Sequence, residues 1–578
     1  MKQGFRDFLD NTKDFILKYG NAFCIISLVL FCYLFLFLNL GSYRLIDIDE
    51  TRYVNIARAM FFNNDFITPY LNYEPFLEKP PLFYWLIVFL YKLTGSTDEF
   101  VSRIPTAASC TSMVFATYFF GKKALGSKVF GLVSALILLS NIWILLFSHI
   151  AILDMGFTAL CTVSIYCAII TLFDIKEENK KYFWYLGYLF MSLSVLQKGL
   201  IGIIIPALVV GLTFLTFNKG KELIKPVNII PGLLIFLIFA LPWHVLAYIA
   251  NGNGFFEDYI VKHHFARFLN SSLGIERKQP FLFYIPIICA GFLPWIFSFI
   301  SSTIRGMKSL IKDFKASKSF KQMLSADTSD RKLLVFASIY ALSIFIFFSI
   351  SSTKLPTYIL PIFPAFSLIT GYYWWGYIID NKFQKGIKHS TITTIVFFIL
   401  LGIGGALVTN FLTGEYLMYA QNADGFRILL ASWLIVMALI TLLCLIAKNR
   451  PLLFIAQVIL MLGVSLIVSG KVLNFVTTFG QTELENYAGK AQIISGSKLV
   501  TLGFSRKYSL LNEFTGKVHY ITRANNEGYN ALAGIKNKAK KENASVYLII
   551  KKSKSYPVEF LKGFKKVQDG QKYDLYVY

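Results

Sequence analysis

The chain has 578 residues and a net charge of +24, yet only 16% of its side chains are charged while 55% are hydrophobic. Soluble domains carry about 25% charged residues, so the composition excludes a soluble globular enzyme. Recurring apolar runs of roughly 20 residues, each able to cross about 30 Å of hydrocarbon, predict a polytopic α-helical membrane protein. The positive charge is scattered over loops and forms no single basic face, which excludes nucleic acid as a partner.

Residues 1–20 read as a short amphipathic segment on the cytoplasmic side. The first span, about 21–41, is too long for a signal peptide and lacks a small-residue cleavage site. A polar loop, about 42–100, follows. It holds Asp47-Ile48-Asp49-Glu50-Thr51-Arg52-Tyr53 at the end of the first span, a short helix at 55–60, and Glu78-Lys79-Pro80-Pro81. After the prolines comes a short apolar piece, 82–94. Further runs lie near 101–121, 127–147, 154–174, 182–197, 199–217, 228–250, 281–303, 333–351, 355–379, 391–413, 426–447 and 452–474.

The connectors sort by charge. Those at 122–128, 175–181, 218–225, 304–332, 382–389 and 448–450 bear Lys or Arg and alternate with connectors of other character, which places the basic set in the cytoplasm. The run 101–121 ends at the cytoplasmic Lys122 and Lys123, so it starts outside, where 42–79 also lies. The piece 82–94 must then lie along, or dip into, the outer membrane surface. Thirteen spans remain, with the N-terminus inside and the C-terminus outside.

From about 476 the chain turns Lys-rich, with β runs at 498–503, 545–550 and 573–578 and helices near 508–514 and 527–540. The expected organisation is a transmembrane domain over 1–475, with outer loops at 42–100 and 251–280, and a soluble α/β domain over 476–578 on the outer face. The seven cysteines all lie in apolar segments without a CxxC pair and read as small core hydrophobes.

By this topology Asp49, Glu50, Arg52, Glu78, Lys79, Asp154, Lys198, His263, His264, Arg267, Lys354 and Tyr358 share the outer face. One such residue reads as a snorkelling or solvated charge; a set converging on one face is a functional candidate. Lys79, Arg52 and Arg267 suit a phosphate or pyrophosphate. Glu78 with His264 could share a divalent metal. Asp49 and Asp154 could orient or deprotonate an acceptor. Asp47 has no assigned role, and His149, His244, His389 and His519 read as structural. The sequence has no Walker loop, GxSxG or HExxH. That argues against ATP-driven transport and fits an enzyme with a lipid-linked donor.

These residues also carry a resemblance. Asp49-Glu50-x-Arg52-Tyr53, Glu78-Lys79-Pro80-Pro81-Leu82-x-Tyr84-Trp85, Leu153-Asp154-Met155, Gln197-Lys198-Gly199, His264-x-x-Arg267-Phe268 and Lys354-Leu355-Pro356-Thr357-Tyr358 resemble, in order, the motifs of the aminoarabinose transferases. That family is related to the protein mannosyltransferases of the GT-C fold, and the resemblance covers about 45–365. It implies a GT-C glycosyltransferase of about thirteen transmembrane helices in the bacterial inner membrane. Such an enzyme moves 4-amino-4-deoxy-L-arabinose from an undecaprenyl-phosphate carrier to a lipid A phosphate at the periplasmic face, among membrane lipids and as a monomer. Asp49 and Asp154 would be its two key acids, Lys79, Arg267 and Tyr358 would surround the donor phosphate, and Glu78 and His264 would hold a metal, zinc in that family.

One departure concerns the sugar: Phe76 stands where the family often has Tyr, which removes a hydroxyl near the donor. Transfer of galactosamine or mannose to lipid A, or of a sugar to protein, is therefore the alternative within the class. A phosphate acceptor needs Asp49 only for orientation or charge stabilisation, whereas a hydroxyl acceptor needs it as a general base. A transporter of lipid-linked sugar is the reading from a different class. It should place polar groups at mid-membrane and show internal repeats, and neither is present.

Overall fold

The structure, a computed structural model, describes residues 20–266, 279–316, 328–412 and 421–578. Among these residues seven helices are long and apolar enough to cross a membrane, or nine if each of two bent pairs is one span. The expected thirteen is not reached by that measure. Glu99–Leu125 and Glu177–Lys198 fill expected runs, but Ser, Thr, Tyr and charged residues dilute them. Such dilution suits helices packed against protein.

The spans differ in depth within the bundle. In Leu153–Leu172, 78% of the apolar stretch is buried by protein, against 17% in Pro226–Asn251, so the first is a central pillar and the second faces outward. Asp154 sits in the first turn of that pillar.

Two runs expected as straight spans are broken. Phe281–Gly291 and Ile296–Lys308 meet at a 118° bend, where Pro294 supplies no backbone N–H and disfavours helical geometry at its neighbour. Lys128–Leu139 and Ile142–Ser148 meet at 66°, and the Asn141 side chain accepts the Ile144 N–H at 3.0 Å to start the second piece. The breaks touch: Trp295 donates its indole N–H to Ser140 at 3.0 Å.

Ahead of the 42–100 loop the first helix closes at Phe37, and Asp49–Asn63 is a separate helix, longer than the short helix expected at 55–60. The acids of 47–50 therefore do not end the first span. Asp49 and Glu50 stand in the first turn of a new helix, where its positive end favours them. A short hairpin follows, β1 (Tyr70–Leu71) with β2 (Glu74–Pro75), and then the 13-residue helix Leu82–Thr94.

At the other end, Arg450–Gln492 is continuous for 43 residues. The boundary expected at 475/476 lies inside it: the side chains turn polar while the helix goes on. Beyond it β3 (Lys498–Leu502), β4 (Val518–Ile521), β5 (Val546–Lys551), β6 (Lys565–Asp569) and β7 (Tyr573–Val577) form a sheet in the order β4-β3-β5-β7-β6. β3 is parallel to β4 and β5, whereas β7 is antiparallel to β5 and β6. Leu499, Ile549 and Leu575 of one sheet face pack on Leu484, Tyr487 and Ala488, so the sheet rests on the extension of the last long helix. The cysteines are free, and all but the exposed Cys289 are buried or half-buried.

Candidate functional site

A cavity of about 190 Å³ opens where the Asp49–Asn63 helix, the Glu78-Lys79 turn, the start of the Leu153–Ile169 helix, the end of Glu177–Lys198 and the segment around Tyr358 converge. Asp49, Arg52, Glu78, Lys79, Asp154 and Tyr358 line it, together with Lys198 and Asp47. The structure thus brings together six of the eight residues given a chemical role in the sequence. Arg267 and the side chain of His264 lie outside the described residues.

Glu50 builds the wall. Its carboxylate is fully buried and accepts from Arg103 Nε and Nη2 at 2.7 and 3.0 Å, from the Ala151 N–H at 2.7 Å and from the Ile46 N–H at 2.7 Å. Arg103, also fully buried, gives its remaining N–H groups to the carbonyls of Leu40, Tyr43 and Arg44 at 2.8–3.0 Å. All five guanidinium donors are engaged, which a buried cation requires. Glu50 thereby ties the first helix turn to residue 151, just ahead of Asp154. It is a support, with no oxygen left to serve a substrate. Nothing in local sequence sets Arg103 apart from a span-end charge.

Asp154 accepts from Lys198 Nζ at 2.5 Å, both side chains being about nine-tenths buried. The same ammonium lies 4.6 Å from the ring centre of Tyr358 and 4.9 Å from that of Phe157. Gln197 donates to the Leu153 carbonyl at 3.0 Å, so the two helix ends are locked beside the pair. Lys198 stood among the outer-face residues of the sequence; its pairing with Asp154, 44 positions away, was not legible there.

Asp49 is different. Its side chain is 62% exposed, 3.6 Å from Arg52 Nη1. Burial, with Asp49 beside it, holds the Tyr53 hydroxyl far above its ordinary range, so Tyr53 stays protonated. Lys79 Nζ donates to the Glu78 carbonyl at 3.2 Å. Lys354 instead donates to the carbonyls of Ser351 and Gln279 at 2.6 and 3.1 Å and does not line the cavity.

Glu78 is the one expected metal ligand whose side chain is described, and no group of three His, Cys, Asp or Glu side chains suited to a metal occurs among the described residues. Asp47, left without work by its position, accepts from Thr51 Oγ1 at 2.8 Å and from the Ser509 N–H and hydroxyl at 2.9 and 2.5 Å.

Comparison with known proteins extends the resemblance read from the motifs. A family model described as dolichyl-phosphate-mannose-protein mannosyltransferase matches residues 78–245. An uncharacterized protein of Aquifex aeolicus is 30% identical over 334 residues, 58% of this chain and 60% of that one. The undecaprenyl phosphate-alpha-4-amino-4-deoxy-L-arabinose arabinosyl transferase of Yersinia enterocolitica is 28% identical over 348 residues, 60% of this chain and 58% of its own. The chain thus spans about 60% of the length of these two relatives. In structure it is similar to ArnT from Cupriavidus metallidurans bound to undecaprenyl phosphate, with a TM-score of 0.74, 19% identity and coverage of 96% of this chain and 98% of the other. Oligosaccharyltransferase AglB from Archaeoglobus fulgidus, in complex with an inhibitory peptide and a dolichol-phosphate, follows at 0.52 and 12%, covering 93% of this chain and 70% of its own. The fold is that of the GT-C membrane glycosyltransferases.

Proposed function

We propose that the chain is a polyprenyl-phosphate-sugar-dependent glycosyltransferase that moves an amino sugar, 4-amino-4-deoxy-L-arabinose, from undecaprenyl phosphate to a lipid A phosphate. The observation that carries this reading is the cavity itself, which sets the cations Lys79 and Arg52 beside the acids Asp49 and Asp154 in about 190 Å³. The names of the Yersinia relative and of the Cupriavidus structure, one an aminoarabinose transferase and the other bound to undecaprenyl phosphate, support it.

The chemistry follows from charge. Breaking the bond between sugar and carrier phosphate develops negative charge on the phosphate and positive charge on the anomeric carbon. Lys79 and Arg52, with Arg267, stabilise the departing phosphate. Asp154, fixed by Lys198, faces the developing positive charge. Asp49, the exposed acid, meets the acceptor. A phosphate acceptor is already anionic, so Asp49 orients it and abstracts no proton. Glu78 and His264 are our candidates for a divalent cation such as zinc, which would add Lewis-acid stabilisation of the phosphate when bound. The loop charges support thirteen spans in a bacterial inner membrane, with the cavity and the α/β unit periplasmic.

Mass spectrometry of lipid A from cells with and without the protein tests the reading. The expected result is an added pentosamine mass. An added hexosamine would change the sugar, and unchanged lipid A would overturn the acceptor and point to protein or another glycan.

A further inference from the structure

We propose that the C-terminal α/β unit is a working part of the cavity: Tyr508 positions the guanidinium of Arg52, and Ser509 fixes the first turn of the Asp49–Asn63 helix through Asp47. The proposal rests on the reading of Arg52 as a donor-phosphate group.

Besides the Glu50 anchor, the first turn has no side-chain N-cap of its own. Ile48, at the N-cap, offers no side chain to the helix. Asp47 does the holding, with one oxygen on Thr51 Oγ1 and the Ser509 N–H and the other on the Ser509 hydroxyl. The backbone of this turn is held from the same direction: the Asp47 N–H donates to Gln481 at 3.2 Å, and Gln481 donates to the Leu45 carbonyl at 2.7 Å. Arg44 is paired with the buried Glu485. Gln481 and Glu485 both belong to the helical extension on which the sheet rests.

Arg52 is held by a ring. Its guanidinium carbon lies 5.5 Å from the ring centre of the buried Tyr508, and its Nε is buried without a hydrogen-bond partner. Tyr508 is itself braced edge-on by Tyr520 at 5.8 Å, on β4. Three residues later Asn55 donates to the Tyr508 carbonyl at 3.3 Å, and three later again Arg58 donates to Asn512 at 3.0 Å. Residues three apart share one face of a helix, so one face is gripped along its length by the 3₁₀ turn Tyr508–Asn512. A guanidinium laid on a ring gives up water on that side while keeping its outward N–H groups, which strengthens its hold on a phosphate. The soluble unit thus sets both the direction and the hydration of a cation in the cavity.

The test is binding of undecaprenyl phosphate to the full-length protein in nanodiscs, by thermophoresis. Loss of the ring in Tyr508→Met should weaken binding about tenfold, whereas Tyr508→Phe, which keeps the ring, should stay within about twofold. Combining Tyr508→Met with Arg52→Ala should cost no more than Arg52→Ala alone, since the ring acts through the cation. Binding by Tyr508→Met equal to wild type, or additive losses in the double variant, would overturn the proposal. If Tyr508→Met is not monodisperse, Ser509→Ala serves instead: about threefold weaker binding is expected, and no change overturns the clamp. Failure of the wild-type protein to bind would instead remove the donor reading, and this proposal with it.

Discussion

The carboxylate of Glu50 receives two N–H groups of Arg103 with both side chains fully buried, while the carboxylate of the adjacent Asp49 is 62% exposed in the cavity. Two neighbouring acids therefore have opposite duties. Asp49→Ala should abolish transfer with yield and melting temperature close to wild type. Glu50→Ala should destabilise the protein by about 3–5 kcal/mol, because it leaves a buried guanidinium uncompensated. Thermal melts in detergent together with a transfer assay separate the two. Equal melting of Glu50→Ala and wild type would refute the support role.

Lys198 holds Asp154 at 2.5 Å. Lys198→Met, which keeps length and loses charge, should lower kcat by roughly 10²–10³-fold. Donor KM should change much less, since in the proposed reaction the pair faces the sugar while Lys79 and Arg52 face the phosphate. A change confined to KM would place Lys198 on the phosphate instead.

Lys79 should matter for donor binding. Lys79→Ala is expected to weaken undecaprenyl phosphate binding by about 10- to 100-fold, as for loss of a charged hydrogen bond. Binding by the wild type should also fall with added salt. Salt-independent binding unaffected by Lys79→Ala would show that the cavity recognises the lipid chain alone.

The proposed Glu78–His264 cation predicts that purified protein carries a bound divalent metal, that Glu78→Gln lowers its content, and that chelation lowers transfer. Metal analysis of both proteins decides it. A metal-free wild type that stays active under chelation would leave Glu78 as a plain anion of the cavity rim.

The membrane class, the apolar runs and the six polar residues that meet in the cavity were legible in the sequence, because each depends on local composition or motif order. Residues such as Asp49, Lys79 and Asp154 are marked by their neighbours in the chain. Asp47 and Arg103 are not. One had no assigned role and the other was not singled out, because the work of each is set by partners 462 and 53 positions away. The bend at Pro294 was not read from the sequence although the proline stands inside the run, and the continuous helix through 476 was hidden by a change of composition without a change of structure.

What the sequence by itself determined is therefore the helical, membrane-embedded character of the chain and the residue types offered to the cavity, since hydrophobicity and charge act residue by residue. Only the tertiary structure decided which acid is buried and which is exposed, which lysine meets Asp154, and that the α/β unit contacts Asp47 and Arg52 of the cavity wall. Those are consequences of packing, where a charge taken out of water must find its counter-charge wherever the fold brings one.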